Sequence, residues 1–202
     1  MSERRWDALD LDAVEAQVRR RLSPGRFGHV LGVVDTILEL ADRYGVDRRK
    51  AKLAALLHDV AKEYSRERLL KEAFDFGIVL TEIEQLTTAL IHAPVGAEVA
   101  RREFGVDDPD VLAAIRYHTT GRAGMSPLEK LLFLADYIEP GRDFPGVDEV
   151  RKAARSSLDE AVLLALDQTL VYLVSRGRLI HPDALHARNE LLRMRSEGRT
   201  VR

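Results

Sequence analysis

The stretch Ala54-Ala55-Leu56-Leu57-His58-Asp59-Val60-Ala61-Lys62 closes an apolar helical run with a histidine and an aspartate side by side, and sets a lysine one turn further on. Imidazole and carboxylate are metal-ligating groups, and a lysine beside them supplies a cation. His29 lies 29 residues before His58, and His92, His118 and Asp136 follow at intervals of 34, 26 and 18. Those intervals are too long for one helical face, so ligands of these types must converge from several helices. The expected fold class is all-α, a helical bundle around a metal site.

A chain of 202 residues with no linker-like stretch is expected to be a single domain over 1–202, with a core over about 24–140 and C-terminal helices over about 148–196. Hydrophobic residues at 46% supply a real core. The net charge of −2 gives no long-range attraction for a polyanion, so no nucleic-acid partner is expected and a phosphate compound would need a local cluster of cations. Cysteine is absent, which removes disulfides and thiolate ligands and leaves histidine and carboxylate. No apolar run reaches the roughly 18 residues of a membrane span, and Met1 to Leu11 lacks the apolar core of a signal peptide. A cytoplasmic location without membrane association is the expectation.

Helical spacing and caps recur along the chain. Asp10 to Leu22 is amphipathic; Ser23-Pro24 caps a helix that Gly45 stops; a third helix runs from near Asp47 to about Lys62. Ser65 to Asp75 is followed by a capping box of Thr81 and Glu84, and Pro94 puts His92 at a helix end or kink. Asp108-Pro109 starts a helix on which Val111, Ile115 and His118 share a stripe. Ser126 and Glu129 box the start of a helix carrying Asp136 and ending at Glu139-Pro140-Gly141. Ser157 with Glu160 precedes an apolar run in which Leu163 to Val174 reads as core packing, and Asp183 to Arg195 forms a last, charged helix. A homodimer is compatible with the apolar faces of these last two helices, which serve equally well as intramolecular core.

An imidazole and carboxylate set suits iron, manganese, zinc, cobalt or nickel. Asp59 matters most, because a carboxylate can bridge two cations whereas an imidazole nitrogen binds one. Such a centre would acidify a water and present it to phosphorus, with Lys62 and Arg122 placed to neutralise oxygen charge as the bond breaks. Arg26 and Arg142 stand in turns, where exposed arginine is common. His181 reads as structural by its side chain and His186 as part of a solvated face.

These residues carry a resemblance. His29, His58-Asp59 and Asp136 resemble the ligand pattern of HD-domain phosphohydrolases, and His58 to Lys62 resembles their common HDxxK form. His29 to Val33, Leu57 to Lys62, Ala114 to Arg122 and Leu134 to Arg142 are similar to the YqeK branch, described as symmetrical bis(5'-nucleosyl)-tetraphosphatases, and the likeness runs from about Arg26 to Leu192. It implies metal-dependent hydrolysis of diadenosine tetraphosphate to two ADP. It implies that His29, His58, Asp59 and Asp136 hold iron, as one or two ions, with manganese or cobalt as substitutes. His92 and His118 either ligate a second metal or, with Arg26, Lys62, Thr119 and Arg142, contact substrate phosphates; Asp59, Lys62, His92 and His118 form the catalytic set. Arg122 and Asp136 join the substrate-binding residues, and the crossing of Leu179, Ile180, His181, Pro182 and Asp183 resembles the segment near the nucleoside. Rival readings are an HD phosphohydrolase acting on a nucleoside monophosphate or a guanosine polyphosphate, a nucleotide-sensing module without turnover, and a helical scaffold with an incidental metal.

Overall fold

The computed structural model describes residues 5–199, and these are helical throughout apart from turns and irregular connections. The α-helices are α1 (Leu11–Arg21), α2 (Pro24–Tyr44), α3 (Arg48–Leu57), α4 (Arg66–Asp75), α5 (Glu82–Leu86) and α6 (His92–Glu103). They continue as α7 (Pro109–Tyr117), α8 (Pro127–Ile138), α9 (Val147–Ala153), α10 (Leu158–Ser175) and α11 (Pro182–Ser196). The all-α class predicted from the periodicity is the class observed.

The residue before each helix sets most of the starts. Asp10, Ser23, Asp47, Ser65, Asp108 and Ser157 accept hydrogen bonds from first-turn N–H groups. Thr81 and Ser126 complete reciprocal capping boxes with Glu84 and Glu129. Each such cap contributes about 1 kcal/mol. Gly45 ends α2 in the left-handed region at a φ of 67°, where a β-carbon would be strained.

Helix α2 packs on α3 and α8, and α7 joins α3, α6 and α8 into one body. Ile37, Leu53, Leu56, Leu57, Ile115, Leu131 and Leu132 fill the space between them and are fully buried; each contributes roughly 1.5–3 kcal/mol of apolar burial. Ala51, Ala54 and Ala55 are also fully buried, so the small face of α3 lets its neighbours approach and carries His58 into the centre. No helix among the described residues is long and apolar enough to cross a membrane.

The structure departs from the sequence reading at two element ends. Helix α3 stops at Leu57 rather than near Lys62, and the chain goes on in tight turns: the N–H groups of Val60, Lys62 and Tyr64 donate to the carbonyls of Leu57, Asp59 and Ala61. His58 keeps helical backbone angles and Asp59 lies in the first of these turns, and both side chains are buried. In α10 burial ends at Leu170, and Val171, Tyr172 and Val174 stand 69%, 59% and 67% exposed, so the last turn is not core. His92 does lie at a helix end, as the first residue of α6, with Pro94 in the first turn, where its missing N–H costs nothing.

A buried ion pair ties α8, which carries Asp136, to α10: Lys130 Nζ lies 2.6 Å from Asp159 Oδ1, with both side chains nearly or fully out of solvent. Lys130→Met keeps the bulk but leaves the buried carboxylate without its lysine. It is expected to destabilise the fold by about 3–5 kcal/mol in chemical denaturation; a change below about 1 kcal/mol would show that the pair does not hold these helices together.

Candidate metal centre

Four histidines enter one space from four places in the chain: His29 from the second turn of α2, His58 and His118 from the C-caps of α3 and α7, and His92 from the first residue of α6. His58, His92 and His118 are almost completely buried. Each of these three places Nδ1 on the backbone carbonyl oxygen three residues back, Ala55 at 2.7 Å, Ala89 at 2.6 Å and Ile115 at 2.7 Å. A carbonyl oxygen only accepts, so Nδ1 carries the proton and Nε2 turns its lone pair to the interior. His29 reaches the same state by another route, its Nδ1 lying 3.1 Å from Glu139 Oε1.

The inward nitrogens meet at Asp59. Its Oδ2 lies 3.5 Å from His58 Nε2 and 3.8 Å from His29 Nε2, while Oδ1 lies 3.1 Å from His92 Nε2 and 3.7 Å from His118 Nε2. Asp136 Oδ1 adds a second carboxylate 3.1 Å from His29 Nε2. The ligand atoms form three overlapping groups, His29-His58-Asp59, His58-His118-Asp136 and Asp59-His92-His118. Between the rings, Nε2 atoms of His92 and His118 stand 3.1 Å apart and those of His58 and His29 3.4 Å apart. With protons on Nδ1, these are facing lone pairs, which repel unless a cation lies among them. The donor set therefore fits a divalent transition metal.

Charge in the cluster follows from burial and neighbours. Burial pushes the imidazoles of His58 and His92 toward the neutral form, His92 to about 4, with His118 adding to the effect. Burial also works against the Asp59 and Asp136 carboxylates, but the surrounding imidazoles, with Arg142 beside Asp136, outweigh it and hold both ionised. His29 is raised: burial opposes its charge, and the carboxylates of Asp136 and Glu139 overcome that. Burial lowers Lys62, whose Nζ sits 3.3 Å from His92 Nε2.

Three cations rim the centre. Arg26 lies 3.1 Å from Asp59 Oδ2, Lys62 is beside His92, and Arg142 pairs with the Asp136 carboxylate and also donates to the Asp136 carbonyl. A cavity of about 250 Å³ opens here, lined by His118, Thr119, Asp136 and Arg142. A recess of about 80 Å³ shares Thr119 and is lined by Thr120, His181 and Asp183. Leu179 lines a different cavity with Leu86 and Thr87, Ile180 packs half-buried on the core, and Pro182 opens α11, with His181 Nδ1 accepting from Asp183 N–H as its cap. Arg122 is engaged elsewhere. Its Nε and terminal nitrogen grip the buried Glu129 carboxylate at 2.6 and 3.0 Å, so its charge is committed to the start of α8.

Two contributors escaped the sequence reading, which took Glu139 as a helix stop and gave Gly32 no role. Glu139 is a buried carboxylate that accepts from His29 Nδ1 and, at 2.6 Å, from Gly141 N–H. Gly32 makes room for it, since a β-carbon there would stand 2.7 Å from Glu139 Oε2.

The HD-domain model matches residues 26–141 of this chain. Proteins named symmetrical bis(5'-nucleosyl)-tetraphosphatase are similar along most of its length. The one from Bacillus subtilis is 44% identical over 88% of this chain and 95% of its own, and the one from Halalkalibacterium halodurans 44% over 87% and 93%. Among solved structures, a Clostridium acetobutylicum protein described as a predicted HD superfamily hydrolase involved in NAD metabolism superposes with a TM-score of 0.88. It is 40% identical, and the match covers 91% of this chain and 97% of that one.

The Glu139 contact orients His29, so Glu139→Gln is expected to weaken metal affinity by roughly 10–100-fold. Gly32→Ala, which pushes on the same carboxylate, should act in the same direction. Competition with a chelator measures both, and unchanged affinity in both would remove Glu139 from the site. A second expectation concerns pH. His92 takes up its proton at about 4 in the folded chain and at an ordinary 6.5 when unfolded, so the unfolded chain binds more protons between those values. Stability of the metal-free protein should therefore fall as pH drops from 6.5 toward 4, by on the order of 3 kcal/mol from this residue. Denaturation of His92→Asn across the same range should show a smaller loss than the parent; an equal loss would contradict it.

Proposed function

The chain belongs to the HD-domain family, in the branch of the symmetrical bis(5'-nucleosyl)-tetraphosphatases that it matches, and on that premise we propose that it hydrolyses diadenosine tetraphosphate to two ADP. The observation that carries this reading is the division of the Asp59 carboxylate between two histidine pairs, rimmed by Arg26, Lys62 and Arg142. Neutral phosphate-free ligands would have no use for three cations around one cluster of histidines and carboxylates.

His29, His58, Asp59 and Asp136 would hold one metal, and Asp59 with His92 and His118 a second. Iron is the metal we favour, with manganese or cobalt as substitutes. A cation held there supplies Lewis acidity, which activates water and offsets charge on the phosphoryl oxygens. The protein's own groups do the rest. Arg142 and Thr119 line the cavity where phosphates would lie and fix the chain of phosphates against the cluster. Lys62 and Arg26 meet the negative charge that grows on the phosphoryl oxygens as the bond to the bridging oxygen lengthens. Water adds its oxygen to the phosphorus next to the central bridge, the bond from that phosphorus to the bridging oxygen breaks, and one ADP leaves as the other forms, with release of a proton. Asp59 stays ionised throughout and would lend its charge to the metal that these residues hold.

Purified protein loaded with iron, manganese or cobalt and given diadenosine tetraphosphate should yield ADP alone, separated by chromatography. ATP with AMP would overturn the cleavage position, and no product with any metal would overturn the activity. Asp59→Asn should reduce turnover by more than about 100-fold, beyond the scale seen for loss of an outer contact. Full turnover and full metal content in that variant would sink the site.

A further inference from the structure

The cavity at Arg142 and Asp136 has a larger neighbour. Tyr137, Phe144 and Thr169 line it and also line a larger cavity of about 590 Å³, which extends past Pro145 to Tyr172 and Arg176. That volume lies in the range of small-molecule sites. Its walls are set before any ligand arrives. The rings of Tyr137 and Phe144 meet edge to face with centroids 5.1 Å apart. Tyr137 Oη donates to Gln168 Oε1 at 3.0 Å, and Gln168 Nε2 donates to the Gly146 carbonyl at 3.0 Å. One donor and one acceptor position of the amide thus brace the wall. The rings of Tyr137, Phe144 and Tyr172 line this space together with Arg176, 5.8 Å from the Tyr172 ring centroid, and Arg142 lines the neighbouring smaller cavity.

We propose that this aromatic cavity seats one nucleoside of the dinucleotide, and this rests on the function proposed above. A cut at the central bridge of a tetraphosphate requires two phosphates and a nucleoside on each side of the cluster. One half runs toward Thr119, Thr120, His181 and Asp183, in the recess that shares Thr119 with the cavity at the cluster. The other half passes Arg142, which holds its phosphates, and its base stacks against Phe144. Recognition by ring faces makes this arm tolerant of base identity. The arm therefore selects for a second nucleoside rather than for a particular one.

The test compares diadenosine tetraphosphate with adenosine 5'-tetraphosphate, which has a single nucleoside that can use the other arm. In Phe144→Ala the ratio of kcat/KM for the first over the second should fall roughly tenfold, the scale of one lost stacking contact, with the change in KM. Phe144→Tyr should restore the ratio, which separates stacking from a loop that has lost its order. Calorimetry with diadenosine tetraphosphate whose central bridging oxygen is replaced by methylene gives a readout without turnover: its affinity should weaken by a similar factor relative to ADP. An unchanged ratio, or an equal fall for both substrates that Phe144→Tyr does not reverse, would overturn the assignment. If the parent protein leaves diadenosine tetraphosphate intact yet cleaves the mononucleoside compound, the proposed function fails by itself, and this arm with it.

Discussion

One buried carboxylate faces four imidazoles, and most of the architecture follows from keeping that arrangement in place. Asp59 turns Oδ2 to His29 and His58 and Oδ1 to His92 and His118. Such a group of unprotonated nitrogens around an ionised side chain has no reason to be buried in an apolar core on its own account. Each element around it supplies a constraint. Helix α3 and the turns after it carry His58 and Asp59 inward, and α2, α6, α7 and α8 bring His29, His92, His118 and Asp136 to the same cluster. The surrounding core of leucine, isoleucine and alanine keeps His58, Asp59, His92 and His118 out of solvent.

The same local device serves three of the four histidines. A ring nitrogen donating to the carbonyl three residues back uses an acceptor that lies at a helix end or in the turn before one, where carbonyls need partners anyway. It fixes the tautomer and the ring plane without any further side chain. His29 lies inside α2, away from such a carbonyl, and so needs Glu139, which in turn needs the space left by Gly32. A glycine far from Glu139 in the sequence thereby makes room for the contact that orients His29.

Much of this was legible beforehand, and the reasons differ residue by residue. His29, His58, Asp59, His92, His118 and Asp136 could be read as one candidate cluster because their types suit a metal and they recur at helix ends or on apolar stripes, and the structure brings all six together. Helix starts were readable because Ser, Thr and Asp caps act locally. Glu139 was hidden because a glutamate before Pro-Gly resembles an ordinary helix stop, and its partner His29 lies 110 positions away. The partner of Arg122 was hidden for the opposite reason: Glu129, which its guanidinium grips, was already accounted for as a helix cap. The exposed end of α10 was hidden too, since an apolar run says nothing about where the neighbouring helices stop.

The most direct measurement is anomalous diffraction from crystals grown anaerobically with iron. The expected result is two peaks, one on each side of Asp59, about 3.5–4 Å apart, one near His29, His58 and Asp136 and the other near His92 and His118. A single ion bound without Asp59, or iron placed away from these histidines, would contradict the account of a carboxylate shared between two cations.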